Sequence, residues 1–413
     1  MSIDRLLEET MRDWADEARV PPDLAARALR RRRWRRTRGA VLAGAIAILV
    51  ISVLPRYVVP PLLGKDPGRA ATVTTEESGE PTQQPSRPPA LAEPITDPES
   101  SPPKKLIAAG DVAVYAYNVW DYVKISDERQ VSRLTWYLYD DGTRTYEKTP
   151  WAQLDVAPGG ERVAVLEKFP ARRVGVLRRS TGQVDWLDLD HQVASVAWSP
   201  DGSRLLLTAY RSDPDEQAIP VNGTVMMLPG TRTGYLIAEP GSPVAPRFVS
   251  LPADSEQIGT RADLVWSHDG TLVWAPVAEA PGKKYFDLEG RPSAAPPHEA
   301  DTYQHAGLSP DGRLLAVDGT GGIVTGVKDV ATGRITSLAP VAGQWIEQLE
   351  AWAGPDLLIA WACELEGTDG CAVSEFRNRL VLITTDGTTL TPLTGYRPNS
   401  QAPGSWTPLI TPR

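Results

Sequence analysis

The sequence predicts an all-β fold, a six-bladed β-propeller held outside the cytoplasm by a helical segment, one transmembrane helix and a disordered linker. Three observations predict it. A five-residue phrase recurs as Trp198-Ser199-Pro200-Asp201-Gly202, Trp266-Ser267-His268-Asp269-Gly270 and Leu308-Ser309-Pro310-Asp311-Gly312. Looser copies at Val156-Ala157-Pro158-Gly159-Gly160 and Trp352-Ala353-Gly354-Pro355-Asp356 bring the intervals to 42, 68, 42 and 44 residues, and a period near 42 is that of a four-stranded propeller blade. Finally, Gly39 to Val59 is a run of 21 residues interrupted by a single charge, Arg56, directly after an arginine cluster.

Within residues 1–38, Ile3, Leu6, Leu7, Met11, Trp14 and Ala18 recur at three- and four-residue spacing, which forms one apolar stripe on a helix ending before Pro21 and Pro22. This helix either lies on the bilayer or docks a cytoplasmic partner through residues 1–20. A second short helix, 23–30, leads towards the span. Arg30, Arg31, Arg32, Arg33, Arg35, Arg36 and Arg38 follow. Such a cluster resists translocation and is drawn to anionic lipid, so it keeps the N-terminus in the cytoplasm.

Residues 39–59 as a helix would extend about 30 Å, the thickness of a bilayer core. The strictly uncharged part is the 16-residue stretch 39–54, so Arg56 snorkels to the far interface, where Tyr57 also fits. A cleaved signal peptide is the competing reading; its charged region would be 38 residues long and no small-x-small site closely follows the apolar stretch. The reading taken is an uncleaved single-pass anchor in the cell membrane. Residues 60–105 form the linker: 64–105 holds nine Pro and no aromatic residue, too little apolar surface to offset the entropy of ordering. Such a tether averages about 36 Å as a coil and reaches about 130 Å in polyproline geometry.

From residue 106 to 413 each phrase has the mechanics of a hairpin, an apolar strand, a Pro-Asp-Gly turn and a returning strand such as Arg204-Leu205-Leu206-Leu207. Further turns at Thr181-Gly182, Thr332-Gly333 and Asp386-Gly387 join the remaining strands. The interval of 68 is read as one blade carrying about 26 extra residues. The region resembles the TolB-like and WD-repeat-like propellers, whose repeats carry a W-S-P-D-G phrase opening a blade's first hairpin. The resemblance implies the propeller fold and does not select among the enzymes, receptors and scaffolds built on it. The recurring Gly-His and Trp-Asp pairs of eukaryotic WD repeats are absent; Trp120-Asp121 occurs once. With 34 Arg against 9 Lys, the composition fits a high-GC bacterial source, and the layout resembles actinobacterial single-pass membrane proteins.

The two ends of the repeat region fit each other. Ser405-Trp406-Thr407-Pro408-Leu409-Ile410 reads as a blade's first strand with nothing after it, and Ala109 to Tyr115 as a second strand with no first. Together they predict one composite blade that closes the ring and removes two open edges.

Composition narrows the chemistry. The formal charge of −9 is distributed as +4 over residues 1–38 and −13 over the rest, which argues against nucleic acid as a partner. Two cysteines and four scattered histidines make no metal site, and no G-x-S-x-G, H-E-x-x-H, Walker or calcium-loop motif occurs beyond the linker. No cofactor and no catalytic residue is assigned. His191, His268, His298 and His305 lie in different blades or loops, and only convergence at the central channel would make one of them catalytic. Asp185, Asp188 and Asp190 alternate along a strand, as a solvated face or a cation site. Tyr115, Tyr117, Trp120, Tyr122, Trp136, Tyr137 and Tyr139 are blade packing or a peptide- or glycan-binding platform. Cys363 and Cys371 flank a loop between strand-like runs and, in an oxidising compartment, are expected to form a disulfide. The expected function is binding or sensing of an extracytoplasmic protein, peptide or glycan. The alternatives are an extracytoplasmic hydrolase and a transmembrane regulator acting through its N-terminal helix.

Overall fold

Strand-forming sequence beyond the linker leaves one helical turn, Glu299–Asp301, among the described residues; everything else there is strand, turn or loop. The computed structural model describes residues 93–219, 228–251, 261–277, 282–302, 304–318, 325–365, 371 and 377–413. The N-terminal helix, the cluster Arg30 to Arg38, the apolar run 39–59 and the linker up to residue 92 lie outside the described residues. No helix among the described residues is long and apolar enough to cross a membrane.

The strands form five sheets. The first contains the predicted closure: Trp406–Pro412 pairs antiparallel with Val112–Lys124, Val112 facing Pro412 and Val119 facing Trp406. Arg129–Asp140 and Thr145–Lys148 follow on the other side. The second sheet has seven strands, because Val184–Trp198 is shared. Its first part pairs with Ala171–Arg178 and its last part with Leu205–Tyr210. Three smaller sheets run over 265–293, 314–337 and 344–392. The arrangement is an all-β, propeller-like fold.

The apolar cores sit between successive sheets. Ala116, Trp136, Leu154, Val156 and Val163 join the first sheet to the second; Ala316, Val327, Leu349 and Leu358 join the last two. Val112, Tyr117, Tyr146, Ile359, Trp361, Leu380 and Trp406 join the last sheet back to the first. The closing cluster holds the aromatic rings of Tyr117, Tyr139, Tyr146, Trp361 and Trp406: Trp406 is 2% exposed, meets the rings of Tyr117 and Trp361 at 5.8 and 5.4 Å, and donates its indole N–H to Ser101 Oγ at 2.9 Å.

Three sequence boundaries shift. Ile95 and Asp97 bridge to Ala108 and Thr394, and Asp97 accepts the amide of Lys104 at 2.8 Å. Residues 93–105 are therefore part of the folded unit, although composition assigned them to the linker. The strand expected over 109–115 is broken. Gly110 takes φ +50°, and a Cβ there would overlap the Ala353 carbonyl oxygen; this turns the chain from Ile107–Ala109 into Val112–Lys124 as a tight hairpin. The extra residues after Gly202 do not simply enlarge one blade. Glu216–Ala218 crosses to the first sheet and pairs with Arg129–Val131.

The recurring phrase has one local construction. Ser199 Oγ donates to Asp201 at 2.5 Å and accepts the Arg204 amide at 2.9 Å, while the Gly202 amide donates to the Ser199 carbonyl at 2.8 Å with Gly202 at φ +69°. Ser267-Asp269-Gly270 and Ser309-Asp311-Gly312 repeat it. These bonds to the ionised carboxylate hold Asp201 and Asp311 down at about 2.

The same phrase also ties neighbouring sheets together. The indole N–H of Trp198, Trp266 and Trp352 donates to the carbonyl of Asp155, Ala197 and Gly307, each at 3.2 Å. Each acceptor immediately precedes the Trp-equivalent position of the preceding copy of the phrase. Arg162 lies over the Trp198 ring at 4.7 Å and donates to the Gly202 carbonyl at 2.6 Å. Arg204 stands in the same relation to Trp266 and Gly270, at 5.1 and 3.0 Å.

Candidate functional site

The shared strand creates the most informative concavity. Pairing with Ala171–Arg178 runs in register to Asp188 and, after a register shift, resumes at Val193 opposite Ala171; pairing with Leu205–Tyr210 begins at that same Val193 and shifts register after it. Asp190, His191 and Gln192 lie within the first shift. Residues left out of the ladder by such a shift bow away from it, and an open cleft of about 430 Å³ lies at this point.

One wall is Asp190, His191, Gln192 and Arg172; the other brings Tyr210, Arg211, Thr233, Phe248 and Ser250. The His191 imidazole lies flat on Phe248, with centroids 3.7 Å apart and planes within 7°. Its Nδ1 is buried and has no hydrogen-bond partner, an unusual state for a buried polar atom. Arg172 donates to the Asp190 carbonyl at 2.8 Å. Among the described residues neither Arg172, Arg211 nor the Asp190 carboxylate has an ion-pair partner. Tyr210 is committed to the fold: its hydroxyl donates to Asp263 at 2.6 Å and accepts the Ala262 amide at 3.0 Å, and burial, with Asp263 beside it, lifts the phenol well above its usual range.

A second polar group of side chains is used by the fold itself. Arg261 donates through Nε and Nη2 to Asp215 at 2.6 and 2.8 Å, and through Nη1 to Asp263 at 2.8 Å and the Ala194 carbonyl at 3.1 Å. Burial opposes its charge, but Asp263 and Asp215 outweigh it and hold the cation firmly. Arg133, paired with Asp213 at 2.5 Å, and Arg261 both stand over Phe169. Arg397 is 4% exposed, lies 3.5 Å from the centre of the Trp361 ring, and donates to Asn378 at 2.8 Å and to the Trp406 carbonyl at 2.6 Å. Burial pulls its pKa down to about 9 against the opposing fields of Glu347 and Glu350.

The four histidines do not converge. His305 Nδ1 faces Glu350 at 2.6 Å, His298 pairs with Asp301 at 3.2 Å, and His268 occupies an exposed turn where its amide donates to Glu299. No hydroxyl or thiol is hydrogen-bonded to any of their rings among the described residues. Asp185 pairs with Arg178 at 2.5 Å and Asp190 lines the cleft, so the three aspartates form no common ligand set. The aromatic segment divides: Tyr117, Trp136 and Tyr139 are buried, Tyr117 stacks on Tyr137 at 4.9 Å, and Trp120 and Tyr122 stand edge to face on the projecting hairpin. Cys363 and Cys371 are joined as a disulfide with Cα atoms 5.8 Å apart. Their sulfurs lie near Glu347 in the one cluster of metal-ligand residue types among the described residues, and thiolate ligation is closed to sulfurs bonded to each other.

Sequence reasoning noted Asp190 and His191 separately and missed the cleft. Its far wall comes from strands up to 60 residues downstream, and no local spacing records their approach.

No family matches the chain and no curated protein is recognisably related to it. Solved structures with some likeness include TolB from Acinetobacter baumannii, at 15% identity and a TM-score of 0.36 over 73% of this chain and 66% of that one. Others are dipeptidyl peptidase 4 of Porphyromonas gingivalis, at 12%, 0.35, 68% and 44%, and the β-propeller domain of Myceliophteria thermophila Cps50 (Swd1), at 10%, 0.34, 73% and 88%. The chain thus spans just under two thirds of the Acinetobacter protein. At these scores the likeness carries no functional argument, and the fold rests on the strand pairings.

Proposed function

We propose that this chain is a membrane-anchored, extracytoplasmic binding protein whose ligand site is the cleft at Asp190–Gln192. The carrying observation is the pair Arg172 and Arg211, two cations with no ion-pair partner among the described residues, beside a buried imidazole nitrogen with no partner. Polar capacity that a fold does not use for itself is available to a ligand.

The scaffold is a six-bladed propeller in this reading. Dividing the seven-stranded sheet at Asp190–Gln192 yields two four-stranded blades. The composite sheet closed by Trp406–Pro412 is a third, and the smaller sheets supply three more, one of them completed by the bridge from Leu308 to Leu315. The anchor rests on the arginine cluster and the apolar run after it, and the Cys363–Cys371 disulfide suits an oxidising compartment. The regulator alternative remains tied to residues 1–20 and calls for a cytoplasmic partner lost on their deletion.

Two measurements test the reading. Protease added to intact cells should release the β domain by cutting within 64–92 and spare an N-terminal tag; the reverse pattern refutes the orientation. The full chain should capture a ligand from cell-surface extracts that the variant carrying both Arg172→Gln and Arg211→Gln does not. Equal capture by the two removes the cleft from the proposal.

A further inference from the structure

The chemistry of the cleft narrows the class of ligand, and the argument rests on the binding reading above. Two guanidinium groups supply charge for an anion, and a planar fork suits a carboxylate in particular. Asp190 lines the same space, and its carboxylate has no ion pair among the described residues. It would repel a dense anion such as phosphate, but it can accept hydroxyl donors. Gln192, Thr233 and Ser250 add groups that both donate and accept, and apolar surface comes from the rings of Phe248, on which His191 lies, and Tyr210. A lining that sets charged and hydroxyl-binding groups beside two aromatic rings suits a ligand carrying one negative charge on a hydroxyl-rich frame that also has an apolar ring face. The volume, about 430 Å³ and open to solvent, falls in the range of small-ligand sites and leaves room for a chain to continue outwards.

We infer that the cleft binds an acidic sugar, a hexuronate unit whose carboxylate is held by Arg172 and Arg211 and whose ring hydroxyls are held by Asp190 and its polar neighbours. Nothing in this requires a reaction: the sugar enters and leaves unchanged.

The test is calorimetric titration of the full chain in detergent with sodium glucuronate and with a tetragalacturonide, each compared with glucose and with inorganic phosphate. Glucuronate or the tetramer should bind at least tenfold more tightly than glucose, which lacks the charge, and than phosphate, which lacks the frame. Preference for the tetramer over the monomer assigns the site to a polymer, and the opposite order assigns it to a free sugar; either supports the inference. Arg172→Gln and Arg211→Gln should each weaken uronate binding about tenfold; Arg211→Gln should leave the unliganded melting temperature in place, since its side chain holds no ion pair among the described residues, whereas Arg172→Gln should lower it slightly through the lost bond to the Asp190 carbonyl. Asp190→Asn should weaken uronate binding and strengthen phosphate binding. Saturation by phosphate as tight as by uronate, indifference to the charge on the sugar, or no heat with any probe overturns the inference. Arginine-dependent capture from extracts alongside silence towards uronates would sink the acidic sugar and leave the binding reading standing. A recovered sugar of altered mass would instead show turnover, which contradicts the binding reading and leaves the specificity intact.

Discussion

Replacing Trp406 by Ala should cost about 4–6 kcal/mol of stability and should do so for the whole β domain. The side chain is 2% exposed, and truncating a buried Trp costs roughly 3–5 kcal/mol. Its indole N–H bond to Ser101 and its contacts with the Tyr117 and Trp361 rings add about 1 kcal/mol beyond burial. That is a large share of the roughly 5–15 kcal/mol typical of a folded domain. The loss is shared because Trp406 lies in the core joining the last sheet to the first, so opening it opens the ring. Urea unfolding of the full chain, followed by far-UV circular dichroism and by tryptophan fluorescence, should show one transition moved to lower urea with an unchanged slope. Trp406→Phe keeps most of the bulk and should lose only about 1–2 kcal/mol. A loss below about 1.5 kcal/mol for the Ala variant, or an early transition confined to one probe, would refute the closure argument.

The indole staples can be tested separately: Trp198→Phe, Trp266→Phe and Trp352→Phe each leave a carbonyl without its donor and should each cost about 1–2 kcal/mol. Trp352 donates to Gly307, away from the other two, so its loss should add to either of theirs, whereas Trp266 donates to Ala197 beside Trp198 and that pair should couple; no loss in any of them would deny the staples a role. Asp155, half-buried on Gln153–Val156, accepts the Trp198 amide at 2.6 Å, and burial raises its pKa from 3.8 to about 7. The folded state therefore binds the extra proton between those values, so stability is greatest below pH 4 for this group and falls as pH rises through 7. The full shift corresponds to about 4 kcal/mol at 1.36 kcal/mol per unit; with partial exposure about 1–2 kcal/mol is expected between pH 5 and 8. Asp155→Asn should flatten that slope, and parallel urea midpoints for the two proteins would remove Asp155 as its source. Replacing Cys363 and Cys371 by Ala, which releases a loop closed at a sequence separation of 8, should cost about 2–3 kcal/mol; an unchanged melting temperature under oxidising conditions would argue that the bond does not form in the protein.

What could be read in advance was whatever repeats or pairs locally. The phrase Trp-Ser-Pro-Asp-Gly announced its turns because Ser, Asp and Gly satisfy each other within five residues, and the half-strand at Trp406 announced its partner because an edge strand without a neighbour is costly. Gly110 was hidden, since its need for φ +50° arises from Ala353, far along the chain. The fold of residues 93–105 was hidden for the same reason: a proline-rich composition says nothing about Asp97 capping a turn against Thr394. The phrase itself was half understood. Its turn chemistry is local, but the donation from Trp266 to Ala197 exists only once two sheets lie side by side. The cleft escaped entirely, as Arg172 and Phe248 are ordinary surface residues until the strand Val184–Trp198 shifts register between them.

The pairing of Val112 with Pro412 joins positions about 300 residues apart. Bringing such distant segments together costs about 5 kcal/mol of chain entropy before any contact rewards it, which makes this step a slow one in folding. Until it is made, the backbone edge of Val112–Val119 stands open to any other strand that passes, including the same edge on another molecule. The seam that holds the finished ring is thus also the place where assembly goes astray, and substitutions in Trp406–Pro412 should register first as poor yield and aggregation during production, even where the protein that does mature is correctly folded.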